Sequence, residues 1–74
     1  MTAGAGGTVT VTVNGEDLAV APGATVASLL AELGTEPRGV AVAVDGEVVT
    51  RRTWSERPLA HGERVEILSI AQGG

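Results

Sequence analysis

The residues best suited to chemistry in this sequence are its last two, Gly73 and Gly74. Glycine has no side chain, so a tip made of two of them can thread a narrow passage and lie flat against another protein's backbone. The α-carboxylate of Gly74 could then attack the α-phosphate of ATP and become an acyl-adenylate. That species is electrophilic enough for a persulfide sulfur to displace AMP, and a side chain beside the carboxylate would obstruct both steps. Gly74 is thus the expected site of covalent modification, with Gly73, Gln72 and Ala71 as the stretch a partner would recognise. A terminal glycine pair alone is a weak signal. Its weight comes from following directly on the last strand of the domain.

The rest of the chain offers little to a conventional active site. It has one histidine and no cysteine, which removes most nucleophilic triads and transition-metal sites. His61 falls in a polar turn beside Gly62 and reads as a solvated turn residue. The glycines at positions 4, 6 and 7 do not join a strand to a helix, so they form no phosphate-binding loop. The nine carboxylates are scattered over strand ends and turns, without an acid/base pair. No catalytic residue, metal or bound cofactor of its own is expected.

At 74 residues the chain holds one domain. A domain this small buries only roughly 60% of its unfolded surface, and without cysteine no disulfide supplements the core. Apolar packing must carry the fold, and 43% hydrophobic residues supply it. The net charge of −4 argues against nucleic acid, and no apolar run approaches the ~18 residues of a membrane span. Residues 1–7 are small and lack basic or apolar character, so they read as a disordered tail and not as a signal peptide. A cytoplasmic location and a monomeric free state are expected. All five basic residues are arginines, which fits either a GC-rich genome or a carrier that avoids nucleophiles able to capture its own activated end.

The elements that must position the tip are legible from period and turn chemistry. Val9, Val11 and Val13 alternate with threonines, then Asn14-Gly15 supplies a type I′ turn. A two-residue loop sets Val11 opposite Leu18 and Val9 opposite Val20. After Pro22-Gly23, Thr25 stands as the N-cap of a helix whose Val26, Leu29, Leu30 and Leu33 form one apolar stripe, with Gly34 closing it. Val40, Val42 and Val44 mark a third strand, with Ala41 and Ala43 on its other face. Asp45-Gly46 turns into a short strand at 47–49, and a single helical turn is expected around Trp54. Arg64 to Ile70 is the last strand. A right-handed crossover after the hairpin lets that strand pair parallel to the first. The fold class is therefore α+β, a ubiquitin-like β-grasp with a mixed sheet of four to five strands and one helix across one face. The domain spans 8–70, and 71–74 is a flexible tail.

In the last strand Val65 and Ile67 face the core, leaving Glu66, Leu68 and Ile70 on the open face. Large aliphatics there, next to the tail, suggest a partner-docking patch, although edge packing or tolerated surface apolars would look alike. Trp54 reads as a core plug at one end of the sheet.

The chain resembles the thiamine-biosynthesis sulfur carriers of the ThiS family, within the wider ThiS/MoaD group, from Val9 to Gly74. The resemblance is carried by Val13-Asn14-Gly15-Glu16, by Gly23-Ala24-Thr25-Val26 with Leu29-Leu30, and by Val42 through Val49. It continues in Arg51, Trp54, the run from His61 to Leu68 and the closing Gly73-Gly74. The spacing from Val49 through Arg51 to Trp54 is the most specific part. Thr50, where many members carry proline, and residues 1–7 depart from the pattern.

The resemblance implies partners more than an activity. An E1-like adenylating enzyme would activate Gly74 with ATP and magnesium, which that enzyme and not this chain would bind. A cysteine desulfurase or another donor would supply sulfur, and a thiazole synthase would accept it. Rival readings are a carrier for molybdopterin, tRNA thiolation or a secondary metabolite, a ubiquitin-like modifier, and a non-covalent binding module.

Overall fold

The computed structural model describes residues 8–70. The expected tails at 1–7 and 71–74 lie outside the described residues. The first hairpin joins β1 (Val9–Val13) to β2 (Glu16–Val20). Its register sets Val11 opposite Leu18 and Val9 opposite Val20, as the two-residue loop requires. Asn14 and Gly15 have φ of +49° and +89°, the type I′ signature. A second such turn, with Asp45 at +52° and Gly46 at +85°, joins β3 (Val40–Val44) to β4 (Glu47–Val49). The last strand, β5 (Arg64–Ser69), lies between β1 and β3, parallel to the first and antiparallel to the second. The sheet order is β2-β1-β5-β3-β4, a mixed five-stranded β-grasp.

One helix, α1 (Val26–Glu32), crosses one face. A chain of seven residues would not hold a helix in water, so capping and packing must do it. The Thr25 hydroxyl accepts from the Ser28 N–H at 3.1 Å, and Ser28 Oγ accepts from the Thr25 N–H at 2.8 Å. This reciprocal pair is a capping box with serine in the third position. Val26, Leu29 and Leu30 are buried against Val11, Val20, Val42, Val44 and Val65.

Leu33 departs from the expected stripe. It is the C-cap and is 41% exposed, because the helix stops after Glu32 and the chain turns away. Gly34, at φ +70°, allows its own N–H to reach the Ala31 carbonyl and that of Thr35 to reach Leu30, which is a Schellman closure.

The segment between β4 and β5 closes one end of the core. A 3₁₀ helix (Arg51–Glu56) buries Trp54, and the chain then returns to the start of α1. There the Val26 N–H donates to the Arg57 carbonyl and the Leu59 N–H to the Ala24 carbonyl. Arg57 and Glu63 form an ion pair at 2.9 Å, whose carboxylate also accepts from the Ala60 N–H.

Candidate functional site

The face opposite α1 carries the surface expected for docking. Since Val65 and Ile67 turn toward the helix, their strand neighbours must turn the other way. Glu66 lies across from Ala43 and Leu68 across from Ala41, and all four share the open face. Leu68 is 55% exposed and Ile70 54%. Ile70 lies one residue past β5, where its N–H donates to the Gly39 carbonyl at 2.8 Å and prolongs the pairing beside β3.

A further apolar side chain was missed in the sequence. Val48 lies across from Ala43 on β4, on the same face as Leu68, and is 77% exposed. The Asp45-Gly46 loop has the same two-residue length as the first hairpin, so the same register arithmetic would have found it. Ala43 is itself buried, because Glu66 and Val48 flank it on both sides. The result is a shallow apolar surface. Ala41 and Ala43 form its floor, Leu68 and Val48 its walls, and Glu66 supplies a negative charge within it.

Ala71, Gln72, Gly73 and Gly74 lie outside the described residues, so the structure gives the root of that segment and not its path. The root is held firmly on both sides. On the β3 side the pairing runs through Leu68 and Ser69. On the β1 side the Asn14 side chain bonds Ile67, with Oδ1 accepting from the Ile67 N–H at 2.9 Å and Nδ2 donating to the Ile67 carbonyl at 3.3 Å.

His61 does more than meet solvent. Its Nδ1 accepts the Thr10 backbone N–H at 3.1 Å, while the Gly62 N–H donates to the Thr10 carbonyl at 2.8 Å. The imidazole therefore fastens the β1–β5 seam at the end opposite Asn14. Arg51 places its guanidinium 5.9 Å from the centre of the Trp54 ring, within cation–π reach. An apolar depression of about 180 Å³, lined by Ala27, Leu30, Ala31, Pro37 and Trp54, lies on the helix side of the molecule, away from Leu68. Among the described residues no three His, Asp or Glu side chains gather to hold a metal. No helix there is long and apolar enough to cross a membrane.

Comparison with known proteins covers both the sheet and the C-terminal segment. The ThiS family model matches residues 8–74, the whole sheet together with Gly73 and Gly74. The chain belongs to the ThiS family. It is 38% identical over 52 residues to the sulfur carrier protein ThiS of Thermus thermophilus, covering 70% of this chain and 81% of that one. With the Escherichia coli ThiS it shares 28% over 61 residues, 82% and 92% of the two chains. The crystal structure of the thiamine biosynthesis protein ThiS from Geobacter metallireducens superposes with a TM-score of 0.76 at 32% identity, covering 89% of this chain and all of that one. A thiazole synthase from Paramagnetospirillum magneticum is 34% identical over 62 residues. The match takes in 84% of this chain but spans only 19% of that protein's length. A ThiS-like segment thus forms part of that thiazole synthase.

Proposed function

We propose that this ThiS-family chain is a sulfur carrier of thiamine biosynthesis that works through the carboxylate of Gly74 and supplies no catalytic group. An E1-like enzyme, using its own ATP and magnesium, joins a Gly74 carboxylate oxygen to the α-phosphate and releases pyrophosphate. A persulfide, charged by a cysteine desulfurase or another donor, attacks the acyl carbon through its terminal sulfur and AMP departs. A thiol then cleaves the acyl disulfide, leaving a C-terminal thiocarboxylate and an oxidised partner. The thiocarboxylate is ionised at neutral pH, and its soft sulfur is the better nucleophile toward a thiazole synthase intermediate.

The observation that carries this reading is the family match running unbroken from the sheet through Gly73 and Gly74. Two others support it. The exposed apolar side chains of Leu68 and Ile70 lie at the root of that segment, and Val48 extends their face onto β4, a surface an activating enzyme could grip to bring the tip to ATP. The ThiS-like segment within a thiazole synthase favours that enzyme as the acceptor over one from a molybdopterin or tRNA pathway.

The test is to incubate the chain with a ThiF-type activating enzyme, ATP, magnesium and a persulfide donor, and to weigh it. A gain equal to the mass difference between sulfur and oxygen, at the C-terminal peptide, is expected. Isopeptide adducts on other proteins, or no change in mass, would overturn the carrier reading.

A further inference from the structure

Two turns that look alike in the sequence do different work in the structure. Asn14-Gly15 and Asp45-Gly46 are both type I′ turns, a geometry in which Asn and Asp both occur in first position. Each first residue also turns its side chain onto β5, from opposite sides of that strand. Asp45 meets Arg64 at the start of β5, where its N–H donates to the Arg64 carbonyl at 2.7 Å and its Oδ1 accepts from the Arg64 N–H at 2.8 Å. Here the side chain need only accept, and a carboxylate suffices.

Asn14 meets β5 farther along, and its task is twofold. Its own N–H donates to the Val65 carbonyl at 2.9 Å, the last backbone bond β1 gives before the chain reverses. Had β1 continued, its next peptide groups would have offered Ile67 a carbonyl and an N–H. The Asn14 side-chain amide offers both from one group, accepting at Oδ1 and donating from Nδ2. A carboxylate would turn an oxygen lone pair toward the Ile67 carbonyl instead. The turn admits either residue, whereas the two-way contact with Ile67 needs the amide.

The consequence lies at the root of the C-terminal segment. Past Val65, β5 pairs with β3 on one side and, among the described residues, meets the Asn14 amide on the other. Ile67 precedes Leu68, whose side chain leads the apolar open face. We propose that Asn14 is a positioning residue for activation of the C-terminus: by holding the Ile67 peptide it fixes the direction in which the segment leaves the sheet relative to the Leu68 surface. This inference rests on the carrier reading above. Without the amide, β5 remains paired to β3 but pivots about that single edge, and the tip reaches a partner's site in fewer productive orientations.

The experiment uses the full chain with Asn14→Gly, which keeps the left-handed turn and removes the amide, and Asn14→Asp, which keeps the turn and the accepting oxygen. Amide hydrogen exchange at Ile67 and pyrophosphate release by a ThiF-type enzyme at varied carrier concentration are both measured. Ile67 exchange is expected to quicken in Asn14→Gly, and less in Asn14→Asp, where an oxygen still accepts from the Ile67 N–H, while Val11 and Val42 stay protected. KM for the carrier is expected to rise about five- to tenfold, the scale of one lost hydrogen bond, with kcat within about twofold. Unchanged Ile67 exchange in Asn14→Gly overturns the contact. Quickened exchange with wild-type KM in both variants reduces Asn14 to a structural residue and overturns the inference alone. No pyrophosphate release from the wild-type chain overturns the carrier reading itself, and the inference with it.

Discussion

The indole Nε1–H of Trp54 donates to the carbonyl oxygen of Val49 at 2.8 Å, tying the end of β4 to the 3₁₀ helix that follows it. The ring is buried in the same core cluster as Leu59 and leaves its polar edge on that carbonyl. Shape and hydrogen bond can be separated by mutation. Trp54→Phe keeps most of the packing and removes the indole's bond to the Val49 carbonyl, which β3 still pairs, at a cost of about 1 kcal/mol. Trp54→Ala also empties the site and costs about 3–5 kcal/mol, most of the stability of a domain this small. Urea denaturation followed by far-UV circular dichroism checks both, and an alanine variant as stable as the phenylalanine one would show that the ring does not close the core.

The capping box makes a second prediction. Thr25 and Ser28 each satisfy the other's backbone N–H, so removing either side chain loosens the first turn of α1. Thr25→Ala is expected to lower stability by about 1 kcal/mol, and Ser28→Ala by a similar or smaller amount. The double variant should lose less than the sum, since the two bonds share one turn. Thermal melts of the four proteins close the cycle, and strict additivity would mean that the hydroxyls act independently.

Most of the fold was written in local sequence signals that agree with one another. Alternating valines, two Xaa-Gly turns and the spacing of Val26, Leu29 and Leu30 each favour one element, and together they leave one way to bury the valine faces. What escaped was set by long-range backbone geometry. Nothing near His61 says that Thr10, 51 residues away, will donate to its ring. Nothing near Asn14 says that the turn residue also grips Ile67, because the turn alone already accounts for an asparagine there. Leu33 was misassigned for a different reason. Its spacing fits the apolar stripe, but Gly34 ends the helix one residue too early for its side chain to reach the core. The open-face positions of Glu66 and Leu68 could be read from alternation, whereas the role proposed for Gly74 rests on the glycine pair and on family membership, since that residue lies outside the described ones.

The proposed docking surface predicts a separation of binding from stability. Leu68 faces away from α1, so Leu68→Asp removes little core packing and is expected to cost about 1 kcal/mol or less in folding. It does place a charge beside Glu66 on the face offered to a partner, where both charges would have to be desolvated. Affinity for the activating enzyme, read by titration calorimetry, is expected to fall at least about tenfold. Val48→Asp tests how far the surface extends across β3. A loss comparable to that at Leu68 would include β4 in the contact, and unchanged affinity would confine the contact to β5.

Deleting Gly74 asks whether a terminal glycine is enough or whether reach matters as well. The shortened chain still ends in a glycine, Gly73, with the same carboxylate chemistry, and loses none of the residues that build the sheet. Its tip is shorter by one residue, up to about 3.5 Å when extended. Attack on the α-phosphate needs the carboxylate within about 3–3.5 Å of phosphorus and in line, and a misplacement of about 1 Å can lower the rate by about a hundredfold. The truncated protein is therefore expected to melt at the wild-type temperature and to load sulfur at least about a hundredfold more slowly. Loading at the wild-type rate would mean that the activating enzyme follows the tip inward, and that the distance from the Leu68 surface to the carboxylate is not what it measures.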